Sequence, residues 1–171
     1  MKKLLISTLL VLFIFILAGC STQNQYLRKD LQQTDLVVEM FKNQSFQPGL
    51  EEKLTRILSE EFLSDGRYHL VNEDISSSGI RLKGTITQYK RNIISVDAND
   101  KVTLYQISLT VNIETHKADK SLAYNGITLN TTYVPLRDNI DFETEFEAQE
   151  RLMEDLAEEI SYKVSKDIFS H

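Results

Sequence analysis

The feature that most constrains this chain is a stretch of strict alternation in its middle. Tyr105, Ile107, Leu109, Val111 and Ile113 alternate with Gln106, Ser108, Thr110, Asn112 and Glu114. A period of two puts every apolar side chain on one face of an extended strand and every polar one on the other, so the segment reads as a half-buried strand whose apolar face needs a cover. Ile80, Leu82, Gly84 and Ile86 alternate in the same way with Arg81, Lys83, Thr85 and Thr87. Asp97 to Asp100 and His116 to Lys120 read as turns. Residues 79–95, 101–115 and 121–134 are therefore expected to form an antiparallel meander, closed by Pro135.

Two segments of helical period supply the cover. Leu50, Leu54, Ile57, Leu58 and Phe62 follow Pro48-Gly49 and stop before Asp65-Gly66, with Glu51 and Glu52 in the first turn where the helix dipole favours them. Phe142, Phe146, Met153, Leu156, Ile160, Val164 and Ile168 line one face of a long C-terminal helix, interrupted by Gln149 and headed by Glu143, Glu145 and Glu147. Short apolar runs at Leu36–Phe41 and Tyr68–Val71 add brief strands. One-faced helices and a one-faced sheet predict an α/β (α+β) two-layer sandwich with both helices on the same sheet face.

The N-terminus has a different character. Lys2 and Lys3 precede an apolar run from Leu4 to Ala18 broken only by Ser7 and Thr8, the anatomy of a signal peptide and shorter than the about 20 residues a spanning helix needs. Cys20 is the chain's one cysteine, so it has no intramolecular disulfide partner. Leu17-Ala18-Gly19-Cys20 resembles the lipobox of bacterial lipoproteins. That resemblance implies cleavage between Gly19 and Cys20, a diacylglyceryl group on the thiol and an acyl chain on the new amine, and two or three chains anchor a protein durably. The expected organisation is a signal peptide over 1–19, a lipidated flexible tether over 20–34 and a single domain over 35–171. Ser21 follows the cysteine where an aspartate would signal inner-membrane retention, so the expected location is the outer membrane, lipid-anchored on its periplasmic side.

Charge narrows the partners. Loss of residues 1–19 removes two lysines and takes the formal charge from −6 to −8, a poor balance for nucleic acid. Between Arg81 and Lys120, however, seven basic residues face four acidic ones. No phosphate-binding glycine loop, G-x-S-x-G or H-E-x-x-H occurs, and His69, His116 and His171 are scattered. Asp97-Ala98-Asn99-Asp100 lacks the glycine and distal glutamate of a calcium loop. No enzyme, metal or cofactor is expected beyond the lipid on Cys20.

The polar side of the meander is unusual in its neutrality. Thr85, Thr87, Ser108, Thr110, Asn112, Thr128, Asn130 and Thr132 form a band of small uncharged groups. It suits contact with another polar wall, such as the lumen of an outer-membrane barrel; the alternative is that threonine is simply a good strand former.

The stretches F41-K-N-Q-S-F-Q-P-G-L-E-E-K-L54, E61-F-L-S-D-G-R-Y-H-L-V-N72, K83-G-T-I-T-Q-Y-K-R91 and S95-V-D-A-N-D-K-V-T-L-Y-Q-I-S-L-T-V111 resemble the lipopolysaccharide-assembly lipoproteins of the LptE family. The resemblance implies two helices on one face of a mostly antiparallel four-stranded sheet. It also implies a lipoprotein that plugs and helps fold the outer-membrane translocon barrel, LptD, and contacts lipopolysaccharide. A surface for that ligand should join cations to apolar atoms. Lys90, Arg91 and Lys101, near the first turn, are the candidates, with Lys117 and Lys120 at the second turn next; alternatively they only balance nearby carboxylates. A rival reading is a periplasm-facing regulator of peptidoglycan synthases or a secretion-channel lipoprotein, since these too place an F-x-N loop before a helix ending in D-G-R-Y.

Overall fold

In the computed structural model, described for residues 33–72, 79–118, 120–135 and 143–169, the meander forms the body of the sheet. Its strands are β4 (Ile80–Val96), β5 (Val102–Lys117) and β6 (Lys120–Tyr133), within a residue or two of the expected limits. Before them come β1 (Thr34–Val38), β2 (Lys42–Asn43), helix α1 (Leu50–Asp65) and β3 (Tyr68–Leu70), and after them helix α2 (Glu145–Phe169). Ile107, Leu109, Val111 and Ile113 are all at most 1% exposed and join one core cluster with Leu54, Leu58 and Phe62 of α1 and Leu152, Leu156 and Ile160 of α2. Both helices thus cover one face. Each such aliphatic side chain taken from water contributes about 1.5 to 3 kcal/mol.

The sheet departs from the expected mostly antiparallel, four-stranded one. It is six-stranded and mixed, with order β3-β1-β4-β5-β6 and β2 pairing β4 off this path. β1 lies parallel to both β3 and β4, and β2 parallel to β4. For β1 and β3 the reason is α1: a helix between two strands of one sheet returns the chain to the end where it began, which makes those two strands parallel. The first strand also ends at Val38 and not at Phe41. Phe41 turns inward to 2% exposure beside Gly84, where a Cβ would stand 2.2 Å from two of its ring carbons. A glycine at an inward position of β4 is thus the space that one phenylalanine fills.

Local chemistry sets the helix ends. Gly49 (φ 82) and Gly66 (φ 74) occupy the left-handed conformation on either side of α1. Thr144 and Glu147 form a capping box at α2: the Glu147 amide donates to Thr144 Oγ1 at 3.2 Å, and Glu147 Oε2 accepts from the Thr144 amide at 2.7 Å. Of the predicted apolar stripe, Phe142 lies outside the described residues. Phe146 is not buried but 63% exposed, and the Lys53 ammonium sits 3.6 Å from its ring centre. Helical spacing located Phe146 on the stripe, but as the second residue of α2 its ring meets the Lys53 ammonium of α1 and stays largely in solvent.

Candidate functional site

The open face of the sheet carries the polar band. In β4–β5 and β5–β6 pairing, Thr85 stands opposite Asn112, Thr110 opposite Thr128, and Ser108 opposite Asn130, while Gln106 faces Thr132. The side chains bond across the strands: Thr110 Oγ1 lies 2.9 Å from Thr128 Oγ1, and Gln106 Nε2 donates to Asn130 Oδ1 at 3.4 Å. Thr87 is the exception. The register shifts between Ile86 and Gln88, so Gln88 takes the place opposite Thr110 and the Thr87 hydroxyl donates to the Thr110 carbonyl at 3.1 Å. Seven of the eight expected residues therefore form one surface, with Thr87 in the bulge at its margin. Towards the base of β4, Arg81 and Lys83 are engaged by Glu39, at 3.0 and 3.8 Å.

Lys90, Arg91 and Lys101 do not come together. Lys90 pairs in register with Ser108 and points to the open face; Arg91 pairs with Ile107 and points to the helix face. Lys101 sits in the turn beyond Val96, its amide donating to Asp97 Oδ1 at 3.0 Å. Arg91 matches the carboxylate-balancing alternative, because its guanidinium donates to Glu145 Oε2 at 2.5 Å and lies 5.2 Å from the Tyr105 ring.

Arg91 belongs to a cluster that sequence reasoning missed. Glu145, the first residue of α2, accepts from Tyr89 at 2.9 Å and from Tyr133 at 3.0 Å, and Gln149 Nε2 donates to the Tyr89 hydroxyl at 2.9 Å. Gln149, which interrupts the apolar stripe, is buried for this bond. Partial burial works against the Glu145 carboxylate, but Arg91 and the two tyrosine hydroxyls outweigh it and hold its pKa below the ordinary value. Burial first, and then the neighbouring carboxylate, push the Tyr133 hydroxyl up to about 12 and Tyr89 up as well. The cluster pins the N-terminus of α2 to the point where the β4–β5 hairpin leaves the helix layer.

Beyond that point the hairpin is bare. Every residue from Arg91 to Val96 is exposed, with Ile93 at 59%, Ile94 at 51% and Val96 at 51%. The signal was present in R91-N-I-I-S-V96, where alternation breaks down at Ile93-Ile94. The tip turns through Asp100 in the left-handed region (φ 58). The exposed apolar side chains of Ile93, Ile94 and Val96 lead into a polar tip whose cation, Lys101, stands beside two carboxylates, Asp97 and Asp100.

Gly19 and Cys20 lie outside the described residues, as does most of the tether. Among the described residues no helix is long and apolar enough to cross a membrane, and no group of three or more His, Cys, Asp or Glu could hold a metal.

The sequence matches the family profile LptE, lipopolysaccharide-assembly, over residues 33–164, most of the chain. The chain belongs to the LptE family. Its fold resembles the hypothetical protein CT253 from Chlamydia trachomatis, at 11% identity and a TM-score of 0.55, covering 81% of this chain and 99% of that one. A minor lipoprotein from Acinetobacter baumannii is similar at 17% identity and a TM-score of 0.48, with 81% and 95% of the two chains covered. Lipoprotein B from Nitrosomonas europaea is similar at 16% identity and a TM-score of 0.48, with 85% and 92% covered. No curated protein matches the sequence. The LptE match begins at Gln33, one residue before β1, and ends within α2, so it coincides with the folded domain.

Proposed function

We propose that this LptE-family chain is a lipid-anchored assembly factor on the periplasmic side of the outer membrane, where it plugs the translocon barrel LptD, helps it fold and contacts lipopolysaccharide in transit. It acts by binding, without catalytic chemistry. The observation that carries the reading is the open sheet face: with both helices on the other side, three long strands offer a hydrogen-bonding surface whose upper part, above Lys83 and Glu114, holds a single charge, Lys90. Small neutral groups approach a polar barrel wall closely and carry little desolvation penalty compared with ions. The lipopolysaccharide contact is proposed at the hairpin, where Ile93, Ile94 and Val96 meet acyl chains and Lys101 a phosphate, with Lys90 behind it on the open face and Arg91, held by Glu145, on the other.

Co-purification in mild detergent tests the reading. The wild-type chain should bring down a large barrel protein, and Thr110→Lys with Asn130→Lys should lose it while the melting temperature of the chain alone stays within a few degrees. Recovery of a glycosyltransferase, or of a ring of the chain's own copies, would replace this reading with the regulator or secretion-channel one.

A further inference from the structure

One edge of the sheet is the three-residue β3; the other is β6, fourteen residues long. From Ser121 to Tyr133 this edge holds no charged residue and no proline, two of the devices that keep an exposed edge from pairing with another chain. Other features block parts of it. A bulge at Gly126 (φ 68) breaks the ladder. At the far end Arg151, paired with Glu143, donates to Thr131 Oγ1 and, at 3.3 Å, to the Thr132 carbonyl. Ile127 to Asn130 lie between the two blocks and pair only with β5 among the described residues.

This open stretch has a wall. Leu129 and α2 bound a cleft of about 400 Å³, lined on the helix side by Asp155, Glu158, Glu159 and Tyr162. Glu159 is paired with Lys163 at 2.9 Å. Among the described residues, no basic side chain lies within ion-pair distance of Asp155 or Glu158; Arg151 feels the Asp155 charge but is held by Glu143.

We propose that β6 from Ile127 to Asn130 accepts an extended segment of a partner protein as an added strand, one that carries lysine or arginine at alternate positions. Backbone hydrogen bonds supply the affinity and side-chain alternation the selection. Every second side chain of the added strand stands over Asp155 and Glu158, and the intervening ones continue the neutral surface of Thr128 and Asn130. A second copy of this chain is a poor occupant: pairing β6 with β6 would set two acidic α2 faces side by side in one layer, a like-charge contact. The inference does not depend on the barrel reading, because it uses the sheet edge and not its open face.

Hydrogen exchange on the full chain in detergent tests it, with three synthetic peptides as probes: alternating lysine and threonine, alternating glutamate and threonine, and the lysine composition with its lysines in one block. The alternating lysine peptide should slow amide exchange at Ile127 to Asn130, and the other two should not. Asp155→Lys with Glu158→Lys, both on the exposed helix face, should weaken that peptide about tenfold and admit the glutamate one. Protection by the blocked-lysine peptide, protection elsewhere or no protection would overturn the proposal. So would β6 protection in the free chain that rises with its own concentration, which would make a second copy the occupant.

Discussion

Replacing Gly84 by alanine should destabilise the domain by about 3 kcal/mol, the upper part of the range for overpacking a core. The magnitude follows from the distances. An added methyl would lie 2.2 Å from Phe41 Cε1 and Cζ and 2.5 Å from Cδ1, whereas carbon atoms rest at about 3.5 to 4.0 Å. The ring must therefore retreat by more than about 1 Å, and at 2% exposure it must do so within a core whose side chains are close-packed. Expelling the ring altogether would approach the about 3 to 5 kcal/mol of a Phe→Ala change, which sets the ceiling. Urea unfolding followed by circular dichroism measures the shift in midpoint at unchanged slope. A double-mutant cycle with Phe41→Leu then isolates the clash: the smaller side chain should recover part of the loss, so the pair costs less than the sum of its members. A cost for Gly84→Ala below about 0.5 kcal/mol, or simple additivity with Phe41→Leu, would refute the argument that this glycine exists to seat that ring.

Leu109→Ala should cost about 2 to 5 kcal/mol and its neighbour Thr110→Ala well under that in the isolated domain; equal losses in urea unfolding would mean the two faces of β5 are misassigned. Glu145 has a folded pKa below its ordinary 4.5, so its contribution is present above that value and is lost as pH falls through the folded pKa. Acid unfolding of Glu145→Gln should accordingly show a shallower loss of stability below about pH 4.5 than wild type. Cys20→Ala should abolish metabolic labelling with palmitate and leave uncleaved precursor on a gel; normal labelling would remove the lipid anchor from the account. Lys90→Glu with Lys101→Glu should weaken lipopolysaccharide binding and lessen its salt dependence in a pull-down, since exposed charges are screened over about 8 Å at physiological ionic strength. Arg91 is left in place in that variant because reversing it would also strand Glu145.

What was legible in the sequence was whatever obeys a period. Tyr105 to Ile113 alternate without a break and form β5 as expected; Leu50, Leu54, Ile57, Leu58 and Phe62 keep helical spacing and are the buried residues of α1. Pairing direction was not legible, because three or five residues of β3 or β1 look alike whether parallel or antiparallel to a neighbour, and the path of the connecting chain, α1 between β1 and β3, decides. The bulge after Ile86 was hidden for a related reason. Ile86, Tyr89 and Arg91 share the helix face only once a residue is left unpaired, and alternation counted straight through places Arg91 with Thr87 on the polar side. That one-residue slip also concealed the cluster around Glu145, whose Tyr89 is 56 residues away in sequence and meets it only when α2 docks.

The length of β4 has a geometric consequence. At about 3.3 Å per residue its 17 residues measure about 55 Å from the end at Ile80, beside which the chain enters β1, to the turn at Asp97. The apolar slab of a bilayer is about 30 Å thick. Under the proposed lipid anchoring, a domain held at its β1 end with β4 upright would carry its hairpin tip through a distance greater than the whole apolar thickness, and a shift of a few residues in the length of this one strand would change the level at which Ile93, Ile94 and Lys101 are presented.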